Sequence, residues 1–204
     1  MSNDVWQRIE QARDQWNVLE HPFYQRWSAG ELSRDELAEY SGQYRHATAA
    51  LARLSADVAE SAPDSERSDL RRHAEEEASH IALWDGFVEA VDGDTEAEPT
   101  AETADCVSNW AGEGDALELL SRLYAVEASQ PAISRTKRAG LIERYGFEEG
   151  SGTAYFRVHE GRDIEHAAEV RELIAELATD EDADRLVAAA ESAYEANWRL
   201  LDGV

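Results

Sequence analysis

The sequence predicts an all-α fold, a bundle of about seven helices, on three observations. Apolar residues recur at steps of three and four along most of the chain, which is the period of a helix with one buried face. Alternation of the strand kind is absent. Prolines, glycines and short polar residues stand between the periodic stretches, where they start and stop helices. With 204 residues, 43% of them hydrophobic, the chain is long enough for one sizeable core, and a single domain over residues 1–204 is expected.

Asn3 or Asp4 can cap a first helix that carries Trp6, Ile9, Trp16 and Leu19 before His21-Pro22 interrupts it. A short helical piece, Phe23 to Ser28, follows. Ser33-Arg34-Asp35-Glu36 has the capping-box form and opens a helix with the stripe Leu37, Tyr40, Tyr44, Thr48, Leu51 and Val58, which stops before Pro63. The next helix, about residues 66 to 91, has the stripe Leu70, His73, Glu77, His80, Trp84, Phe87 and Val91. Asp92 to Pro99 reads as a polar, acidic and mobile connection. A short helix around Thr103 to Trp110 ends at Gly112-Glu113-Gly114. Asp115 then caps a helix with the stripe Leu117, Leu120, Tyr124, Glu127, Pro131, Ser134, Arg138 and Leu141, which Pro131 is expected to kink. Gly146 and Gly150-Ser151-Gly152 precede a long helix whose stripe is Phe156, His159, Asp163, His166, Val170 and Leu173. A last helix, Asp182 to Leu201, carries Leu186, Val187, Ala190, Tyr194 and Trp198 inward.

Composition excludes several classes of function. A net charge of -25, from 44 acidic against 19 basic residues, argues against nucleic acid or an anionic membrane as partner. The acids are spread along the chain, and Lys137 is the one lysine among the bases. That pattern suits a protein adapted to high salt, where dense carboxylates stay hydrated and their repulsion is screened. Cys106 is the lone cysteine, so there is no intrachain disulfide, thiolate cluster or CxxC pair. No apolar run reaches membrane-spanning length, and Met1-Ser2-Asn3-Asp4 lacks the basic-then-apolar order of a signal peptide, so a cytoplasmic protein is expected.

Three of the stripes carry acids and imidazoles where leucines normally sit: Glu77 and His80 on one, Glu127 on another, His159, Asp163 and His166 on the third. Burying such groups unpaired costs about several kcal/mol each. One buried histidine is more often a hydrogen-bonded core residue than a ligand. Six ligand-type residues in register on three inward faces are better explained by bound cations, since on these stripes only Arg138 could serve a buried salt-bridge network. Carboxylates can bridge two cations while imidazoles cap each, which favours two metal ions, iron or an iron/manganese pair. Glu77-x-x-His80 has the spacing of helical di-iron carboxylate proteins. Dioxygen is the co-substrate such a pair implies.

Several motifs also resemble a known family. His21-Pro22-Phe23-Tyr24, Trp27-Ser28 and Gly30-Glu31-Leu32, then Glu127-x-x-x-Pro131, then Tyr155-Phe156-x-x-His159-x-x-x-Asp163-x-x-His166 are similar to the haem-oxygenase-like dimetal oxidases of the TenA/PqqC-like superfamily. Within it they most resemble the CADD-like aminobenzoate synthases, over nearly the whole chain. The resemblance implies a haem-oxygenase-like bundle and a dimetal site made by Glu77, His80, Glu127, His159, Asp163 and His166. It further implies that Tyr24 matches the tyrosine consumed as the source of the aminobenzoate ring, and Lys137 the lysine that gives up its amino group. The product would be 4-aminobenzoate for folate-type cofactor biosynthesis, made once per chain. A lone lysine agrees with that role, because arginine cannot replace a primary amine.

The chain departs from the family in places. The first glutamate of the motif could fall on Glu76 or Glu77, and helical phase favours Glu77. Val126 stands where a tyrosine precedes the ligand glutamate, and the cysteine-rich tail is missing. Two rival readings follow from the same residues: a conventional dimetal oxidase of a small-molecule substrate, and a TenA/PqqC-like non-catalytic or regulatory protein. A thiaminase-like hydrolase needs a cysteine nucleophile in the pocket, and Cys106 lies away from the ligand stripes. The substrate is therefore expected to be a small molecule or the protein's own side chains, and the chain could pair with a second copy as a homodimer.

Overall fold

A computed structural model describes residues 3–63 and 65–204. Among the described residues it contains eight α-helices and no strand: α1 (Asn3–Gln15), α2 (Pro22–Ala29), α3 (Arg34–Ser61), α4 (Arg67–Ala90), α5 (Ala101–Trp110), α6 (Ala116–Glu143), α7 (Ser151–Leu177) and α8 (Ala183–Asp202). The count exceeds the expected seven or so because the short piece after His21 is a complete helix in its own right. The His21 ring accepts from the Phe23 amide, Pro22 occupies the first turn, and Gly30 closes the helix at φ 74°, a left-handed conformation that glycine adopts without strain.

The ends of the other helices follow from local chemistry. Ser33 and Asp115 each form the reciprocal capping box, with Ser33 Oγ accepting from Glu36 N at 3.2 Å and Asp115 Oδ1 from Glu118 N at 3.1 Å. Asn3 and Asp4, the expected caps, stand inside α1 rather than ahead of it, and the position before α1 lies outside the described residues. α1 also ends sooner than its apolar pattern suggests. Asn17 accepts from Leu19 N at 3.2 Å and starts a 3-10 turn, Val18–Glu20, which takes Leu19 out of the α-helix. Thr100 caps α5, so that helix begins two residues before Thr103. α6 continues through Pro131 to Glu143. The connection over residues 92–100 is pinned to α3: Gln43 donates to Glu98 O at 2.9 Å and accepts from Thr100 N at 2.9 Å, and His46 Nε2 lies 2.8 Å from Ala97 O.

α7 packs along α6 and α4, α3 lies against α4, and α8 covers α5, α6 and α1. Fully buried tryptophans tie these layers together by their indole N–H. Trp27 on α2 donates to Lys137 O, Trp84 on α4 to Ser41 O, and Trp110 on α5 to Ala193 O, at 3.2, 2.8 and 3.1 Å. The first of these requires a glycine. A Cβ on Gly140 would lie 2.5 Å from Trp27 Nε1, so α2 approaches α6 only because residue 140 has no side chain. Among the described residues no helix is long and apolar enough to cross a membrane.

Candidate metal centre

The three anomalous stripes meet where α4, α6 and α7 pack. On α4, His73, Glu77, His80 and Trp84 recur at steps of four, three and four and share one face. α6 brings Glu127, and α7 brings His159, Asp163 and His166. None of the seven titratable groups is more than 4% exposed. Two sets of ligand-type atoms result, each with all its atoms within 4.8 Å of one another: His73, Glu77, Glu127 and His166 in one, Glu77, His80 and His159 in the other. Glu77 belongs to both sets. Its Oε1 lies 3.5 Å from His166 Nδ1 and 3.3 Å from His80 Nδ1. Glu127 Oε1 lies 2.6 Å from His73 Nε2 and 3.9 Å from His166 Nδ1.

These atoms are not satisfied by the protein. His73 Nε2, Glu77 Oε1, His80 Nδ1, both Glu127 carboxylate oxygens, His159 Nε2 and both His166 nitrogens are buried and make no hydrogen bond among the described residues. Such groups are strongly disfavoured unless something else binds them. Oxygen and imidazole donors converging on two points, with a carboxylate common to both, fit a pair of divalent transition-metal ions. The arginines go elsewhere. Arg138 turns to Glu149 and Glu160, with Nε 2.8 Å from Glu149 Oε1. Arg162 binds Glu76 through Nε and NH2 at 2.6 and 2.8 Å. Glu76 is bound by that arginine and its Oε2 also lies 3.5 Å from His166 Nε2, whereas Glu77 Oε1 lies near both His80 and His166.

Asp163, expected as a ligand, lies beside the second set. It stands outside both sets, with Oδ1 and Oδ2 2.9 and 2.8 Å from His159 Nδ1. Accepting a proton from Nδ1 leaves the lone pair on Nε2, the nitrogen that faces the centre. Electrostatics agree with a need for positive charge. Burial, with the neighbouring charges of Asp163 and Glu77, pushes the Glu127 carboxyl well up. Burial also raises Asp163 against its bond to His159. Burial opposes ionisation of Glu77 as well, but the surrounding imidazoles of His166 and His80 hold it low.

Tyr24 and Lys137 meet on the α2–α3 side of the same core. The Lys137 side chain is wholly buried, and its Nζ makes no hydrogen bond among the described residues. It points into a cage of rings, with centroids at 4.2 Å for Tyr44, 5.1 Å for Tyr40 and Trp84, 5.5 Å for Phe156 and 5.7 Å for Tyr24. Desolvation drives its pKa well below the lysine range, which favours the neutral amine. The Tyr24 and Tyr40 hydroxyls lie 3.2 Å apart, and burial raises the Tyr24 pKa. Gln130 donates to the Tyr44 hydroxyl at 3.1 Å. Tyr155 joins the two regions: it stacks on His159 at 4.0 Å and meets Trp84 edge-on at 4.9 Å.

His73 and the ring cage of Tyr40, Tyr44 and Trp84 were not among the functional residues expected from the sequence. His73 could have been found by the signal that gave Glu77, since it lies four residues before it on the same stripe. Cys106 is buried in α5, and desolvation raises its thiol pKa, the opposite of an activated nucleophile.

Fold and site together define a helical bundle built around a buried carboxylate–imidazole centre suited to redox-active metal. The family model described as iron-containing redox enzyme, haem-oxygenase-like, matches residues 38–198. The 4-aminobenzoate synthases of Chlamydia muridarum and Chlamydia trachomatis are 31% and 33% identical to the chain, over 91% of it and 84% and 85% of their own lengths. A Shewanella denitrificans domain described as having a heme oxygenase-like fold superposes with a TM-score of 0.81 at 23% identity, covering 95% of this chain and 88% of that one. The chain belongs to the haem-oxygenase-like family of iron-containing redox enzymes.

Proposed function

We propose that the protein is an oxygen-dependent dimetal oxidoreductase that makes 4-aminobenzoate from its own Tyr24, with Lys137 supplying the nitrogen. The observation that carries this reading is the buried Lys137 amine, which makes no hydrogen bond among the described residues and is enclosed with the Tyr24 ring at 5.7 Å. Relatives that bear the name 4-aminobenzoate synthase support the product, which would enter folate-type cofactor biosynthesis. Two iron ions, or an iron/manganese pair, would be held by Glu77, His80, Glu127, His159, Asp163 and His166, with His73 as a further donor. Bound there, they supply the capacity to activate dioxygen.

The chain's own residues account for the rest. Asp163 fixes the His159 ring through Nδ1. The rings of Tyr155, Trp84 and Tyr40 form an unbroken series of contacts between His159 and Tyr24. Such a series lets charge pass across a region that holds no metal ligand. The cage favours the unprotonated, nucleophilic form of Lys137, and it excludes water from the reacting pair. Because both reactants are side chains, the protein turns over once. Intact-mass and peptide mass spectrometry after treatment with Fe²⁺, reductant and dioxygen are expected to show loss of mass at Tyr24 together with released 4-aminobenzoate. An unaltered Tyr24 in protein shown to hold iron would reject self-sacrifice and leave an oxidase of an external substrate.

A further inference from the structure

Between the start of α4 and the end of α7 lies a cavity of about 260 Å³ lined by Glu66, Asp69, Glu169, Glu172, Glu176 and His73. Glu169, Glu172 and Glu176 are exposed and follow one another at steps of three and four, so they form a line of carboxylates along one face of α7. Arg72 is also on the wall, and Asp69 takes it at 3.2 Å. His73 differs from the others in being only 4% exposed. Its Nε2 approaches Glu127 Oε1 to 2.6 Å without the alignment of a hydrogen bond, as two donors aimed at a common point would. A single side chain therefore belongs both to the wall of the acidic cavity and to the buried ligand set. The charge of Glu169 is also felt inside, at His73 and at Glu127.

We propose that this cavity is the inlet through which divalent cations are loaded into the buried centre, the α7 glutamates gathering the hydrated ion and His73 being the first inner ligand it meets. The inference rests on the metal reading above. Hard carboxylates at a solvent-filled mouth hold a hydrated cation loosely, and a deeper imidazole can then replace its water. A cleft dominated by one sign of charge, as here by five carboxylates against Arg72, also raises the arrival rate of the opposite sign, by about 10- to 1,000-fold at most. A protein with net charge -25 attracts cations over its whole surface, so the test turns on location.

The intact protein, stripped of metal with a chelator, would be mixed anaerobically with Fe²⁺ and the free ion read over time with a colorimetric chelator. E169Q/E172Q/E176Q is expected to load about tenfold more slowly at low ionic strength, with the difference closing in molar KCl and the final iron content unchanged. D57N/E60Q/E113Q, which removes the same charge around a different cavity, is expected to load at the parent rate. H73A, its fold checked by circular dichroism, is expected to load slowly with the α7 glutamates intact. Parent-like loading by the α7 triple variant or by H73A, or equal slowing in the control, would overturn the inlet and leave the centre standing. Failure of the parent protein to take up Fe²⁺ would remove the centre and the inlet together.

Discussion

Lys137 shows how much one residue can ask of its surroundings. Its amine is buried without a hydrogen bond and desolvation lowers its pKa, so the folded state binds the proton less well than the unfolded chain. Between the lowered folded value and about pH 10.4 the unfolded chain holds a proton that the folded amine has released, so this residue makes stability rise with pH across that window. Lys137→Met keeps the length and removes the penalty. Its Tm at pH 7 is expected to exceed that of the parent by roughly 2–4 °C for each kcal/mol recovered, and the gap should narrow toward pH 10; calorimetry at both values checks it. An equal gap at both would mean the amine is not neutral in the fold. At this scale the sequence was informative where phase alone decides. Phase puts Glu77 on the stripe, where its Oε1 lies near both His80 and His166, while Glu76 is held by Arg162 and reaches His166 alone. His73 was on that stripe too, but a lone imidazole has a common bland explanation, and only the approach of Glu127 from another helix removes it. Spacing likewise puts Asp163 on the correct face, but it does not reveal that its oxygens lie within 2.9 Å of His159 Nδ1.

Among the elements, α6 is the one that joins the two halves of the site, since Glu127 and Lys137 both belong to it. Its position depends on the contact between Gly140 and Trp27. Gly140→Ala would add a methyl 2.5 Å from Trp27 Nε1 and 2.7 Å from its Cδ1, against an indole that is fully buried. Helix propensity favours alanine by about 1 kcal/mol, and overpacking of a tight core costs about 1–3 kcal/mol. The clash is expected to win, so that the variant has a lower midpoint in urea. A rise would show that α2 can move away freely. Helix starts were legible because capping boxes are local: Ser33 and Asp115 act within four residues. The early end of α1 was not, because apolar spacing continues past Gln15 while the Asn17 side chain redirects the backbone. The connection over residues 92–100 was read as mobile from its composition, yet Gln43 and His46 hold it from a distant helix.

For the whole molecule the ruling quantity is a net charge of -25 over 204 residues. Surface ion pairs such as Arg45–Asp85 and Arg34–Asp92 offset little of it, since exposed pairs contribute about 0–1 kcal/mol. The screening length falls from about 10 Å at 0.1 M salt to about 3 Å at 1 M, so repulsion should fade faster than those close pairs weaken. Tm is therefore expected to climb by about 5 °C or more between 0.05 and 2 M KCl, read by scanning calorimetry; a flat or falling profile would mean that the ion pairs outweigh the repulsion. The all-α architecture was legible because period and punctuation agree along the chain, whereas the ring cage was not, since its members come from α2, α3, α4 and α7. The enclosure of Lys137 has one more consequence. With the sequence's single lysine shut inside, the folded exterior offers no ε-amino handle for acylation, ubiquitin-type tagging or crosslinking. Only the folding defect that opens the cage would give such reagents and enzymes a lysine to attack.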